Sequence, residues 1–292
     1  CGPYFASAVC AAYALSATAN EANKQQWLPG IASGDLIACV AITEHTPMWC
    51  DDDIHTAAAV TTNGEYQLSG TKHFVIDAQV ADVIFVAARE ADESISLFAV
   101  DAKADGLSIK PLQSMDATRK LNTLTFINTG AERLGRVDLP ALMDYALVAL
   151  SNEMIGGAQA LLQSALDYTQ LRFQFGRSIA SFQAIKHRLA DLLLEVELAK
   201  SAAYQAAYCL AINKDVREHA SLAKAAVGEA YVHVAYECIQ LHGGIGFTWE
   251  NDTQLWFKRA KSSEVLLGTP AAHRERMLQA ITTGETAKTR IG

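Results

Sequence analysis

Three glycines in four positions follow His242 in the run Gln240-Leu241-His242-Gly243-Gly244-Ile245-Gly246-Phe247. Residues without a Cβ let a ligand approach the backbone closely, although the same run also reads as the glycine-rich end of a helix. Upstream, Arg172-Phe173-Gln174-Phe175-Gly176 sets a guanidinium at the end of a helical stretch. It can meet a phosphate through paired N–H donors, or interact with the carboxyl end of the helix dipole. Trp249 and Trp256-Phe257 bring aromatic rings that can line a flat ligand or pack helices. Asp51-Asp52-Asp53 with His55 offers metal-binding atoms. Carboxylates so close repel one another unless an ion compensates, so this run reads as a solvated turn before it reads as a metal site. His45 follows Thr43-Glu44, and nothing in the sequence pairs it with a nucleophile.

The elements that must position these residues fall into three regions. Residues 1–33 read as the end of a helical domain or a cap on something larger, because two short helices bury little by themselves. Tyr4 to Ala19 is Ala-rich, and a second short helix runs from Glu21 to Trp27, ended by Pro29-Gly30. Residues 34–138 change period. Ile37–Ile42, Val83–Ala88 and Ser96–Val100 read as strands, and Leu121, Thr123 and Thr125 alternate with their neighbours. Asn63-Gly64 between Ala58–Thr62 and Glu65–Leu68 signals a hairpin, and Asp105-Gly106 a turn. Short strands without long intervening helices predict an antiparallel barrel or sandwich, and no GxGxxG follows any of them.

Residues 139–292 read as a helical bundle. Asp138 caps a helix with Pro140 in its first turn, running to Phe173 and spanning roughly 50 Å. A second runs from Ser181 to Asn213. A third opens at Asp215 with Glu218 at capping-box spacing and ends at His242-Gly243-Gly244. A fourth spans Asp252 to Leu266, and a fifth runs from Thr269-Pro270 to Thr283-Gly284. Short connections make the bundle antiparallel.

The chain has 292 residues, half of them apolar, and a formal net charge of -8. A large core is within reach, while an acidic chain without a Lys/Arg-rich run argues against nucleic acid or anionic membranes as partners. No apolar run reaches transmembrane length and no secretory leader is seen, so a soluble cytoplasmic protein is expected. Cys1, Cys10, Cys39, Cys50, Cys209 and Cys238 are spread thinly, which predicts free thiols.

The order of regions, together with Ala41-Ile42-Thr43-Glu44, Leu68-Ser69-Gly70-Thr71-Lys72, Arg172–Gly176 with Gln183, and Gln240–Phe247, resembles the acyl-CoA dehydrogenase family of flavoproteins. The resemblance runs the length of the chain. It implies an α+β fold: the end of an N-terminal helical domain, a central β-barrel or sandwich, and a C-terminal four-helix bundle. About a hundred residues of the family pattern would precede Cys1. The family binds FAD, oxidises the Cα–Cβ bond of an acyl-CoA thioester, and passes electrons to an electron-transferring flavoprotein.

Carried over residue by residue, the resemblance puts Ile42 and Thr43 by the flavin ring, with Phe74 at the place of an aromatic beside it. Arg172 would reach the FAD pyrophosphate of a neighbouring subunit, lined by Gln174, Phe175 and Gln183. Gln240, Gly243 and Gly244 would contact the adenine side, and Thr269 the flavin or its phosphates. Ser69-Gly70-Thr71-Lys72 would form a turn and strand ahead of the flavin-facing segment. No metal is implied.

The departures concern the catalytic base. The family's glutamate precedes a Gly-Thr pair, but Leu267 precedes Gly268-Thr269 here. The alternative position, on the first long C-terminal helix, falls on Ala146 beside Leu147. Neither can take the α-proton that the reaction must remove. A second flavin-contact threonine falls on Ile76, which cannot donate, and Asp77 beside it would point away in a strand. Asp144 would face away from Ala146 on the helix, while Glu264, three before Leu267, could share its face and is the weak candidate for a displaced base. One expectation is therefore a base-less subunit working with a homologous dehydrogenase partner, as in actinobacterial heteromeric enzymes acting on steroid side-chain CoA thioesters. The others are a self-sufficient enzyme with a displaced carboxylate and a non-catalytic scaffold of the same fold.

Overall fold

The computed structural model describes residues 2–283. The chain divides into two compact units, residues 1–146 and 147–292, and each is built around its own core.

The first unit opens with a π-wound segment, Phe5–Ala11, that continues into α1 (Ala12–Thr18), followed by α2 (Glu21–Ser33). The sequence predicted that Pro29-Gly30 would end α2. Instead Pro29 lies inside the helix, which ends one residue before left-handed Gly34. Proline removes the hydrogen bond to the carbonyl four residues back. Gln25 and Pro29 are both exposed, so solvent can take that carbonyl.

Seven strands follow: β1 (Ala38–Ala41), β2 (Ala57–Val60), β3 (Tyr66–Ile76), β4 (Val83–Arg89), β5 (Ile95–Asp101), β6 (Leu107–Pro111) and β7 (Leu121–Arg136). The pairing path β4-β2-β3-β7-β5 returns to β4, so the sheet closes as the barrel reading predicted. It is mixed, not antiparallel, because β1 and β2 both pair with β4 in parallel. The hairpin at Asn63-Gly64 forms between β2 and β3, with Val60 opposite Tyr66. The sequence reading passed over β6, although Leu107 and Ile109 alternate with Ser108 and Lys110 and the strand pairs with β7. Leu68, Ile84, Val86, Phe98, Val100, Leu124 and Phe126 fill the core. Every residue of Val83–Ala88 is buried, which accounts for its unbroken apolar run.

The second unit is helical. It takes in most of α3 (Leu139–Leu171), whose start at Leu139 lies in the first unit. Its other helices are α4 (Gln183–Ala211), α5 (Val216–His242), α6 (Thr253–Val265) and α7 (Pro270–Thr283). Two-residue strands β8 (Phe173–Gln174) and β9 (Arg177–Ser178) form a hairpin between α3 and α4. Asp138 caps α3 as expected, accepting from the Ala141 N–H at 3.0 Å. The Asp215–Glu218 capping box does not form. Asp215 is left-handed (φ 51°) and its side chain makes no cap bond; its carbonyl accepts from the His219 N–H instead. Of the α4 face predicted from Ile185, Leu189, Leu192, Val196, Ala199 and Ala203, the last four are buried, while Ile185 and Leu189 in the first turns are half-buried.

Cys10, Cys39, Cys50, Cys209 and Cys238 are free thiols, while Cys1 and Gly284 lie outside the described residues. Among the described residues, no helix is long and apolar enough to cross a membrane.

Candidate functional site

In the first unit, Ile42 and Thr43 leave the end of β1 and are tied to β3 from two sides. The Lys72 ammonium donates to the Ile42 carbonyl at 3.0 Å, and the His73 N–H donates to the Thr43 carbonyl at 2.8 Å. Trp49 Nε1 donates to Thr43 Oγ1 at 3.0 Å. A hydroxyl whose lone pair is taken keeps its own hydrogen to donate elsewhere.

Lys72 is fully buried, and its counter-charge is Glu44, at 2.6 Å. The Glu44 carboxylate also accepts from the Thr56 N–H and Oγ1 and from the His55 N–H. Burial alone would raise this carboxyl, but the Lys72 charge and the donated hydrogen bonds outweigh it and hold it below the usual range. Ser69-Gly70-Thr71-Lys72, expected as a turn and strand, is strand throughout: it lies in the middle of β3, with a bulge between Leu68 and Gly70 in place of the turn. A Cβ on Gly70 would stand 2.7 Å from Thr56 Cα. Glycine is thus what allows Thr56 to close in on the strand beside Glu44. The sequence reading quoted both motifs without seeing that their charged ends meet.

A second irregularity, between Lys72 and Val75, turns Phe74 outward. Phe74 is left-handed (φ 55°) and 55% exposed. A bulky residue in that conformation is strained, and strain of this kind collects at functional sites. The strand stops at Ile76, so Asp77 is not a strand residue facing the opposite way but the left-handed start of a turn.

In the second unit, the tip of the β8–β9 hairpin is Phe175-Gly176, both with positive φ, which suits a tight two-residue turn. Phe175 is 91% exposed, and Arg172, Phe173 and Gln174 are exposed with it, as is Gln183 at the start of α4. Among the described residues, nothing engages the Arg172 guanidinium. The glycines after α5 divide by role. A Cβ on Gly246 would meet Ile239 O at 3.0 Å and His242 Cβ at 2.9 Å, so that glycine is needed for packing. Gly243 (φ 67°) and Gly244 face open space. His242 is a satisfied core histidine, stacked on Tyr168 with centroids 4.3 Å apart and Nδ1 2.8 Å from the Cys238 carbonyl. Gln240 is exposed, as are Phe247 and Trp249, and Lys258 lies over the Trp249 ring at 4.5 Å.

The turn after α6 holds the residues expected around the base. Leu267 is left-handed (φ 59°) and 4% exposed, and Gly268 follows with φ 108°. The buried Lys224 ammonium donates to the carbonyls of Glu264 (2.8 Å) and Gly268 (3.2 Å). His273 Nε2 lies 2.9 Å from the Leu267 carbonyl and must carry the proton there, because a carbonyl only accepts. Nδ1 is then bare and buried, with no partner among the described residues. Burial and the nearby Lys224 charge bring this imidazole down to about 3.

The expectation that Glu264 shares the face of Leu267 rests on helical spacing. The helix stops at Val265, so helical spacing no longer relates the two, and the Glu264 carboxylate is taken by Lys261 at 2.6 Å. Thr269 Oγ1 accepts from the Ala272 N–H at 3.3 Å and so caps α7. Ala146 and Leu147 are wholly buried. Asp144, expected to face away from Ala146, is buried too, because α3 is enclosed around most of its girth here.

The middle-domain model of the acyl-CoA dehydrogenases matches residues 39–129, and the C-terminal-domain model matches 142–282. Acyl-CoA dehydrogenase IpdE2 of Mycolicibacterium smegmatis is 36% identical over 204 residues, covering 70% of this chain and 60% of that protein. The chain therefore spans about 60% of the length of that curated relative. The solved Tcur3481-Tcur3483 steroid ACAD is 30% identical with TM-score 0.84, covering 97% of this chain and 77% of that one. The ChsE4-ChsE5 complex from Mycobacterium tuberculosis is 27% identical with TM-score 0.86, covering 96% and 76%. With two consecutive domains of one family matched in order, and a relative 36% identical over 70% of this chain, this chain belongs to the acyl-CoA dehydrogenase family.

Proposed function

We propose that this chain is an FAD-binding subunit of an acyl-CoA dehydrogenase, and that a homologous partner subunit supplies the catalytic carboxylate. The carrying observation is the turn at Leu267. Where the family has its base, an apolar side chain is buried in left-handed backbone, and Lys224 and His273 hold the carbonyls around it. The alternative position, Ala146, is sealed in a core. Removing a weakly acidic α-proton needs a placed base, and neither position can accept one. The names of the steroid ACAD and of the ChsE4-ChsE5 complex, each pairing two chains, support a two-subunit reading.

The residues present suit the cofactor. Gly243 and Gly244 leave a cradle that a Cβ would fill, and Arg172 offers an unengaged guanidinium of the kind that pairs with phosphate. Gln174, Gln183 and Gln240 add exposed amides, and Phe175 an exposed ring. On the first unit, Ile42, Thr43 and Phe74 would hold the flavin ring. Thr43 would donate the hydroxyl hydrogen that its bond from Trp49 leaves free. When bound, FAD supplies the acceptor for a hydride from the acyl Cβ. The buried Lys72–Glu44 pair keeps the Ile42-Thr43 backbone in place for that contact. Thr269, whose hydroxyl oxygen caps α7, would sit near the flavin or its phosphates. The substrate is an acyl-CoA thioester and the electron acceptor an electron-transferring flavoprotein.

The test is to purify the chain alone and co-expressed with a candidate homologous subunit. Flavin per chain is then measured, with bleaching of the visible flavin band by a panel of acyl-CoAs. The mixed complex is expected to hold flavin and bleach, while the chain alone does not bleach. Bleaching by the chain alone, abolished in Glu264→Gln, would establish a displaced base instead. Absence of flavin from both preparations would make the chain a scaffold.

A further inference from the structure

The loop that follows Thr43 brings together three groups far apart in their chemistry from the flavin contacts. His45, Asp53 and His55 each offer one ligand atom, and these atoms all lie within 4.8 Å of one another. His45 Nδ1 is 3.3 Å from Asp53 Oδ1, and the two imidazole rings are 4.9 Å apart. A four-coordinate zinc-like ion, about 2.0–2.2 Å from each nitrogen or oxygen, sets its ligand atoms roughly 3.3–3.6 Å apart. The first pair already has that spacing, and rotation of exposed imidazoles closes the remainder.

The carboxylate is held for the purpose. Asp53 Oδ2 accepts from the Thr46 N–H (2.9 Å), the His45 N–H (3.1 Å) and Thr46 Oγ1 (3.2 Å), which leaves Oδ1 aimed at His45. Support of this kind around a ligand orients it for a metal. Asp51 and Asp52, which the sequence put beside Asp53, are not in the cluster. His45, remote from His55 in the chain, completes it.

We propose that His45, Asp53 and His55 form a binding site for a divalent transition ion of the zinc class, with two imidazoles, one carboxylate and an open position for water. Imidazole ligands select such ions over Mg²⁺ and Ca²⁺, which take oxygen. Because the site closes the loop leading from Thr43, an occupied site stiffens the segment next to the proposed flavin contact.

The full chain, stripped with chelator, is titrated with Zn²⁺ by calorimetry, and with Co²⁺ by visible absorption. One ion per chain and a higher thermal midpoint with Zn²⁺ are expected, with no response to Mg²⁺. His45→Ala and His55→Ala should each weaken Zn²⁺ binding about tenfold or more. The exposed His187→Ala should leave it unchanged. His55→Ala keeps the backbone bond from His55 to Glu44, so its metal-free midpoint stays at the wild-type value and separates ligation from folding. If wild type, His45→Ala and His55→Ala titrate alike, the site does not exist.

Discussion

Lys72 and Lys224 are both sealed from solvent, one in each compact unit, and they are compensated in different ways. Lys72 meets a carboxylate that is itself saturated with donors, so the pair is a closed polar cluster inside a barrel wall. Lys224 donates to the backbone carbonyls of Glu264, in the last turn of α6, and Gly268, in the turn that follows, and its charge stands near an imidazole that burial has already made hard to protonate. The first arrangement fixes the route of a loop. The second fixes a strained turn, and it forces His273 to stay neutral. A buried charge is tolerated when it is hydrogen-bonded, but what surrounds it decides how the region responds to mutation and to acid.

Breaking the first cluster should cost most. Glu44→Gln leaves Lys72 buried without its counter-charge and is expected to destabilise by about 3–5 kcal/mol, read as a lower urea midpoint. Adding Lys72→Met to that variant should recover part of the loss. A cost below about 1 kcal/mol for Glu44→Gln would mean that the pair is not closed in solution.

In the second unit, Lys224→Met removes charged donors from the carbonyls of Glu264 and Gly268, with an expected cost of about 2–3 kcal/mol. The strained turn at Leu267 should loosen with it, and hydrogen exchange of the Leu266–Thr269 amides should quicken. Unchanged exchange there would show that Lys224 does not hold the turn.

The pH response sharpens the contrast further. His273 has a folded value near 3 against an ordinary 6.5, so the unfolded chain binds more protons between those limits. Stability contributed by neutral His273 is therefore full above about pH 6.5 and falls as pH drops toward 3. The loss is about 1.4 kcal/mol per pH unit, or about 2 kcal/mol by pH 5. Glu44 has its carboxyl lowered and loses its contribution as pH falls below the ordinary carboxylate range, so the interval from pH 6.5 to 5 separates His273 from Glu44. His273→Gln keeps a donor for the Leu267 carbonyl and should flatten the slope in that interval. A wild-type stability independent of pH there would break the assignment.

Much of the architecture was legible in the chain. Short apolar runs marked β4 and β5, a two-residue period marked β7, and Asn63-Gly64 marked the hairpin between β2 and β3. Asp138 with Pro140 marked the start of α3. The errors have local causes. Pro29 reads as a stop, yet a helix with that turn facing water continues through it. Asp215 reads as a cap, yet a left-handed backbone aims its side chain elsewhere. Ser69-Gly70 reads as a turn, yet Gly70 serves a close approach of Thr56 to a continuous strand. Glu264 looks close to Leu267 by number, but periodicity ends with the helix.

By itself the sequence determined most of the element types, the order of helical, strand-rich and helical regions, and the absence of a carboxylate at Leu267 and Ala146, because side-chain period, turn chemistry and residue identity are properties of the chain alone. Only the tertiary structure decided which groups meet. Glu44 finds Lys72 across 28 residues, Lys224 finds Gly268 across 44, and His45 finds Asp53 and His55 across a folded loop. It also decided which glycines leave open space and which are filled by a neighbour. Such pairings follow from how a polar group is satisfied once solvent is excluded, and that is set by packing between segments whose spacing along the chain carries no trace of it.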